Sequence, residues 1–289
     1  MTTEQNSAPV LVLGGTGKTG RRVTAELTRR GFTARPASRK AATRFDWSDP
    51  DTWGPALEGV RAVYLVDSQG PDAAAEVRAF ARLAAERGVQ RLVLLSARVW
   101  GEVDDPAFRA TEDAVTGSGL DWTILRPGWF VQNFTEEWFL SSVFTTGELR
   151  IPTGEGREAF IDLEDLAEVA AVALTEDGHV GETYVLSGPR ALTLGETLAE
   201  IGAAVGRPLR HVPVSDEEYL ADQRAAGTPE EVAQLLVQLF RHIREGRSEA
   251  VGDGVQRALG REPRALAAYV AATDFGAVLA QGSAQESAG

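Results

Sequence analysis

The sequence predicts an α/β protein: a doubly wound parallel sheet followed by a smaller, mainly helical C-terminal lobe. Three observations carry this. Short apolar runs alternate with helix-forming segments through the first part of the chain. The runs lack polar alternation, as do strands buried on both faces. From about Phe134 the rhythm changes, and the last third is rich in helical patterns.

In chain order, the apolar runs are Val10–Leu13, Phe32–Ala37, Ala62–Val66, Arg91–Leu95 and Trp122–Leu125. Helices are predicted between them at Arg21–Arg30, closed by Gly31, at Ala73–Arg87, closed by Gly88, and at Asp104–Thr116, before Gly117 and Gly119. Strand, helix, strand in succession is the pattern of right-handed parallel crossovers. Further on, Asp162–Leu174 reads as a helix, Thr183–Leu186 as a strand and Thr193–Val205 as a helix. The helices Asp216–Ala226, Pro229–Glu245 and Arg264–Ala272 follow. Ser215 is the expected cap of the first of these three, and Thr228-Pro229 is a helix start with proline at its first position. The expected domains are 9–190 for the α/β part, with some segments after 134 contributing to the second lobe, and 191–280 for the helical lobe. Residues 1–8 and 281–289 are small and polar and read as disordered tails.

Composition narrows the partners. The 289 residues carry a formal charge of −13, which disfavours nucleic acid and anionic membrane surfaces, since both select basic faces. There are no cysteines and only three histidines, His179, His211 and His242, far apart in sequence. Thiolate chemistry is excluded, and no metal site is expected. No basic and apolar leader opens the chain and no apolar run reaches the about 18 residues of a membrane span, so a cytoplasmic location is expected. Nothing in the sequence sets an oligomeric state.

The strongest motif is VLVLGGTGKTGRRV. Gly14, Gly17 and Gly20 follow the first strand directly, and a helix opens there. One small residue permits the tight turn, a second lets backbone approach a pyrophosphate, and a third lets helix pack on strand. The helix N-terminus offers unpaired N–H groups and the positive end of its dipole, and Thr16, Lys18 and Thr19 add side-chain donors. A Walker A reading fails because it needs glycine at position 12, which is Val12. The motif therefore predicts a Rossmann-like dinucleotide site. At the end of the second strand, where an acidic residue would hold a ribose 2′-hydroxyl, stand Ser38, Arg39 and Lys40. A guanidinium forks onto phosphate, so NADP(H) is expected rather than NAD(H).

GGTGKTG, the Ser-Arg pair, FDWSDPDTW, VYLV, LVLLSA, GLDWTILRPGWFVQNF, PTGEGREAFIDLEDLAEVAA and GHVGETYVLSGPRALT occur in that order. Together they resemble the NmrA-like family of atypical short-chain dehydrogenases, and most closely its subset of ergot-alkaloid reductases of the agroclavine dehydrogenase kind. The resemblance covers nearly the whole chain. It implies that Asp46 and Trp47 lie near the adenine, and that Val66 and Asp67, with Ser68, lie beside the adenosine ribose. It implies Ser96 and Ala97 on the nicotinamide side, Pro127 and Gly128 under the ring, and Trp129, Phe130 and Asn133 against the substrate.

One departure bears on chemistry. The Tyr-x-x-x-Lys pair of mainstream short-chain dehydrogenases aligns with Phe108 and Glu112. Phe108 has no proton to give. Glu112 reverses the charge, although from one helix face it is expected to reach a ribose hydroxyl. A ketone becomes an alkoxide as hydride arrives and needs a donor at that moment. An iminium ion needs none, and a quinone or quinone methide is similarly activated. The sequence therefore points to an NADP(H)-dependent oxidoreductase acting on an activated, flat or aromatic small molecule, with no catalytic side chain identified. Two other readings stay open: a NAD(P)-sensing regulator without turnover, and an isomerase or dehydratase-like protein that uses the bound cofactor structurally. Trp129 and Phe130 divide evenly between substrate contact and core, while Phe134, Trp138, Phe139 and Phe144 read as core. Asp162, Glu164 and Asp165 read as helix-start acids.

Overall fold

The computed structural model describes residues 8–102 and 106–279, and all of their side chains except those of 106–108, 138 and 139. Both expected tails lie almost wholly outside the described residues, as do the Phe108, Trp138 and Phe139 side chains. The strands, in order, are β1 (Val10–Leu13), β2 (Ala34–Ser38), β3 (Thr43–Arg44), β4 (Ala62–Leu65), β5 (Arg91–Leu95) and β6 (Asp121–Pro127). They continue with β7 (Glu148–Ile151), β8 (Arg157–Glu158), β9 (Glu182–Leu186), β10 (Leu192–Thr193) and β11 (Arg210–Pro213). The first helices are α1 (Lys18–Arg29), α2 (Trp53–Ala56), α3 (Ala73–Glu86), α4 (Arg98–Glu102) and α5 (Pro106–Thr116). Three single turns follow, α6 (Asn133–Glu136), α7 (Trp138–Ser141) and α8 (Val143–Thr146), and then α9 (Leu163–Thr175) and α10 (Leu194–Val205). The last are α11 (Asp216–Ala225), α12 (Glu230–Arg244), α13 (Gly254–Leu259) and α14 (Leu266–Ala272).

The chain forms two compact units. The first holds the chain up to Pro127 together with Leu163–Leu186 and Gly252–Glu262; the second holds Gly128–Asp162, Ser187–Val251 and the chain from Pro263. The expected single cut at 190 thus becomes several crossings. The chain leaves the sheet after β6, returns for α9 and β9, leaves again, and comes back for α13. Residues 252–262, expected in the helical lobe, belong to the first unit because Gly252 and Gly254 lie flat on β9. An added Cβ would stand 2.4 and 2.5 Å from the Val185 carbonyl oxygen.

Unit 1 is a seven-stranded parallel sheet in the order β3-β2-β1-β4-β5-β6-β9. Helices α1 and α9 pack together, and α3 packs with α5. The alternate residues Leu11, Leu13, Val63, Leu65, Leu92 and Leu94 share one core with Val77 and Phe80 of α3. Val10, Val12, Ala62, Tyr64 and Val93, on the other side of the pleat, are buried as well. Burial on both faces explains why these strands read as unbroken apolar runs. Strand order reverses between β1 and β4, the switch point at which such sheets bind ligands at the strands' carboxyl ends.

Unit 2 has a core of Phe134, Phe144, Leu198, Ile201, Tyr219, Phe240 and Tyr269. It is mainly helical, but carries two strand pairs that the sequence did not announce, β8 with β10 and β7 with β11. Each is two to four residues long, too short for periodicity to register.

Candidate functional site

The site in unit 1 is built around the turn from β1 into α1. Gly14 takes φ +64°, a left-handed conformation that glycine adopts without cost. The Gly17 amide donates to the Gly14 carbonyl (2.8 Å) and closes the turn. Gly20 packs so tightly on it that a Cβ would lie 2.2 Å from the Gly14 oxygen. Gly15, which sequence reasoning passed over, is held as closely: its Cβ would meet Pro36 of β2 at 2.6 Å. The signal was the doubled glycine, read as spacing rather than as a second contact. Gly17 caps α1, and no acidic residue stands in the first helical turn. Thr16 and Gly17 are exposed, Lys18 is half-buried, and Thr19 is buried under the turn. The positive end of the helix dipole and a first turn without a carboxylate together make an anion cradle.

Ser38 is the last residue of β2, and Arg39 and Lys40 follow it into solvent. The Ser38 hydroxyl oxygen is buried with no hydrogen-bond partner among the described residues. A buried orphan hydroxyl is costly unless something completes it, and a phosphate oxygen beside Arg39 is a chemically suitable partner. The residues present therefore fit a 2′-phosphorylated dinucleotide.

On the same edge, Asp46 accepts from the Ser48 hydroxyl (2.8 Å) and amide (3.1 Å). Those bonds, with smaller help from the Arg39 and Arg44 charges, hold its carboxyl below the usual range. Trp47 packs on the core among Phe45, Trp53 and Phe80. Its indole N–H donates to the Val66 carbonyl (3.0 Å). It is therefore tied to the end of β4 while remaining partly exposed. Asp67 follows. Burial pushes its carboxyl up, against the opposing effect of the Gln69 amide and the Thr111 hydroxyl. Gln69 itself adopts φ +55°, uncommon for a side-chain-bearing residue.

Ser96 and Ala97 leave the end of β5 partly exposed, and Pro127 ends β6 buried. All of these residues sit at the carboxyl ends of parallel strands, so the fold brings together the groups expected to bind cofactor. Glu112 differs from expectation. It is 4% exposed, and its carboxylate accepts from Arg126 through a fork and from the Ser96 hydroxyl at 2.5 Å. Each oxygen accepts from a side chain of the fold itself, an internal arrangement that the sequence did not announce. The bond from Glu112 holds the Arg126 guanidinium above its usual range, against the opposing effect of burial. Arg126 was not singled out from sequence, although a lone arginine at the end of the apolar run in TILRP was the visible signal. Gly101 makes room for it: a Cβ there would stand 2.5 Å from an Arg126 nitrogen.

The three residues expected to meet substrate lie in unit 2. Trp129 stacks on Phe240 (5.4 Å, 20°) and packs on the core while remaining partly exposed. Phe130 bridges to Ile161 beside it, and Asn133 opens α6, buried. Phe134 and Phe144 are core, as read. Of the acids after β8, Glu164 and Asp165 stand in the first turn of α9, as read. Asp162 accepts from Gln132 (2.7 Å) in unit 2. In unit 1, Glu164 pairs with Arg22, and Asp165 with Arg261. Among the described residues no group of three or more acids and histidines could hold a metal, and no helix is long and apolar enough to cross a membrane.

A family model described as NAD(P)H-binding matches residues 14–177. The chain is 38% identical to an uncharacterized oxidoreductase, YesF, of Bacillus subtilis over 272 residues, spanning 91% of this chain and 94% of that one. It is 30% identical over 277 residues to an agroclavine dehydrogenase of Claviceps fusiformis, across 90% of this chain and 96% of the relative. In fold it is similar to the triphenylmethane reductase of a Citrobacter species, with a TM-score of 0.74 at 23% identity, over 91% and 99% of the two chains. The glycine turn, the seven-stranded sheet and these relationships agree: the chain belongs to the NAD(P)H-binding, NmrA-like family of atypical short-chain dehydrogenases and reductases.

Proposed function

We propose that the chain is an NADPH-dependent reductase for a flat or aromatic acceptor that is already electron-poor, of the iminium, quinone or quinone-methide type. The observation that carries this reading is at position 112. A carboxylate locked to Arg126 and Ser96 occupies the position that the sequence reading aligns with the lysine of the usual mechanism, and the position aligned with its tyrosine, 108, is phenylalanine. No proton donor of that kind is available for an alkoxide. The bound coenzyme supplies hydride, and the protein's part is to bind and orient it. Addition of hydride to C=N⁺ yields a neutral amine directly, and a reduced quinone takes its proton from solvent. The orphan Ser38 hydroxyl and the adjacent Arg39 support NADPH over NADH. The relationship to an agroclavine dehydrogenase supports including alkaloid-type acceptors, and Trp129 and Phe130 supply partly exposed aromatic surface for such a ring.

Stopped-flow oxidation of NADPH against cyclic iminium, quinone and simple ketone panels tests this. Turnover is expected in the first two panels and not with ketones. Tight NADPH binding with no consumption in any panel would mean a sensor.

A further inference from the structure

Ser96 follows the last residue of β5 at the carboxyl edge of the sheet. Its amide donates to the Leu125 carbonyl (2.8 Å), so its backbone is tied to β6. Its hydroxyl reaches Glu112 of α5 at 2.5 Å. Glu112 is buried and accepts a fork from Arg126, which is always protonated, so the carboxylate is ionised and has no proton to offer. The proton in the Ser96–Glu112 bond is therefore serine's. A serine hydroxyl has one proton and two lone pairs. With the proton committed, Ser96 presents only acceptor capacity to anything else.

The pyrophosphate cradle is at β1, and Ser38 and Arg39 place the adenosine half on the β2 side of it. The other half of a dinucleotide must run the opposite way from the switch point, across the ends of β4 and β5. Ser96 is two strands from β1, about 10 Å at ordinary strand spacing, and is partly exposed there. A ribose hydroxyl can donate or accept and would be served by any serine. The nicotinamide carboxamide nitrogen only donates, and it is the group that an acceptor-only hydroxyl complements.

We propose that Ser96 is an obligate hydrogen-bond acceptor for the carboxamide N–H of the nicotinamide, with Glu112 and Arg126 as positioning residues that fix its polarity. The inference rests on the reading of this edge as a NAD(P)H site. It also removes Ser96 as a proton donor to a ketone oxygen, in keeping with an already activated acceptor.

The test compares binding of NADP⁺ and its 3-acetylpyridine analogue by calorimetry. The analogue keeps the carbonyl and replaces the amide nitrogen with a methyl group. The wild-type chain is expected to prefer NADP⁺ by about tenfold, which is about 1.4 kcal/mol. Ser96→Ala should bring the two ligands within about twofold of each other, the weak end of a neutral hydrogen bond. Glu112→Gln should narrow the gap too, because the serine proton is then no longer held by a charge. A ratio between two ligands does not move through general loss of stability. A preference unchanged in Ser96→Ala, or absent from the wild type, overturns the inference while leaving the cofactor reading intact. No heat with NADP⁺ at all would sink both.

Discussion

At the level of single residues, the identity of the coenzyme hangs on the end of β2. Arg39 is exposed, and the Ser38 hydroxyl is buried and unsatisfied. Losing a charge-assisted bond costs about 1.5–3 kcal/mol, and a reversed charge adds repulsion. Arg39→Glu should therefore weaken NADPH binding by roughly 100-fold while changing NADH little. Fluorescence titration with both coenzymes measures this, and an unchanged preference would remove Arg39 from its assigned place. Gly20 makes a steeper prediction. With 2.2 Å between its added Cβ and the Gly14 oxygen, Gly20→Ala must displace backbone. It should lose about 3 kcal/mol in urea unfolding and most of its coenzyme affinity. The glycine turn and Arg39 were legible because each pairs a residue type with a fixed place: glycine at a turn, arginine at a strand end. Glu112 was legible as an anomaly but not as a pair, because its partners are sixteen residues before it and fourteen after it, and spacing in sequence says nothing of such contacts. Gly101 was invisible for the same reason: its need arises from the Arg126 side chain and not from its own backbone.

At the level of elements, helix ends were read well and helix partners were not. Ser215 caps α11 as expected, in a reciprocal box with Glu218 (Glu218 amide to Ser215 hydroxyl 3.1 Å; Ser215 amide to Glu218 carboxylate 2.8 Å). A capping box is local, so four residues of sequence contain it. The ion pairs that join α11 to α12 are not local. Asp216 accepts from Arg241 (2.8 Å) and Arg244 (2.7 Å), and these guanidinium bonds, Arg244 first, lower its carboxyl from 3.8 to about 2. A depressed folded-state value means that stability is gained above the unfolded value and lost as pH falls through the folded one. Asp216→Asn should therefore cost stability at pH 7, by about 1 kcal/mol given partial exposure and solvent screening. The difference from wild type should persist at pH 5, shrink below about pH 4 and vanish only below about pH 2. Urea unfolding across that range checks it; a difference that grew on acidification would contradict the pairing.

At the level of the whole molecule, the first unit depends on a segment far down the chain. Residues 252–262 return to it between two segments of the second unit. Arg257 pairs there with Glu182 of β9 and lies over the Tyr184 ring (5.1 Å). Arg261 bonds Asp165 (2.7 Å) and Glu168 (2.8 Å) of α9. Asp165 is fully buried, so its charge is tolerable only while a cation compensates it. Removing one partner of a buried pair costs about 3–5 kcal/mol, whereas neutralising both costs far less. Arg261→Ala should therefore destabilise the chain by about 3 kcal/mol, and Arg261→Ala with Asp165→Asn should recover most of that loss. The same dependence makes a stronger forecast for a fragment ending at residue 190, the boundary that apolar rhythm alone suggests. It contains every strand of the seven-stranded sheet and every residue placed at the coenzyme, yet leaves β9 and α9 without the segment that covers them. Such a fragment should fail to give a cooperative unfolding transition or to bind NADPH. If it folded and bound the coenzyme as the full chain does, the returning segment would be an ornament to the first unit rather than a part of it.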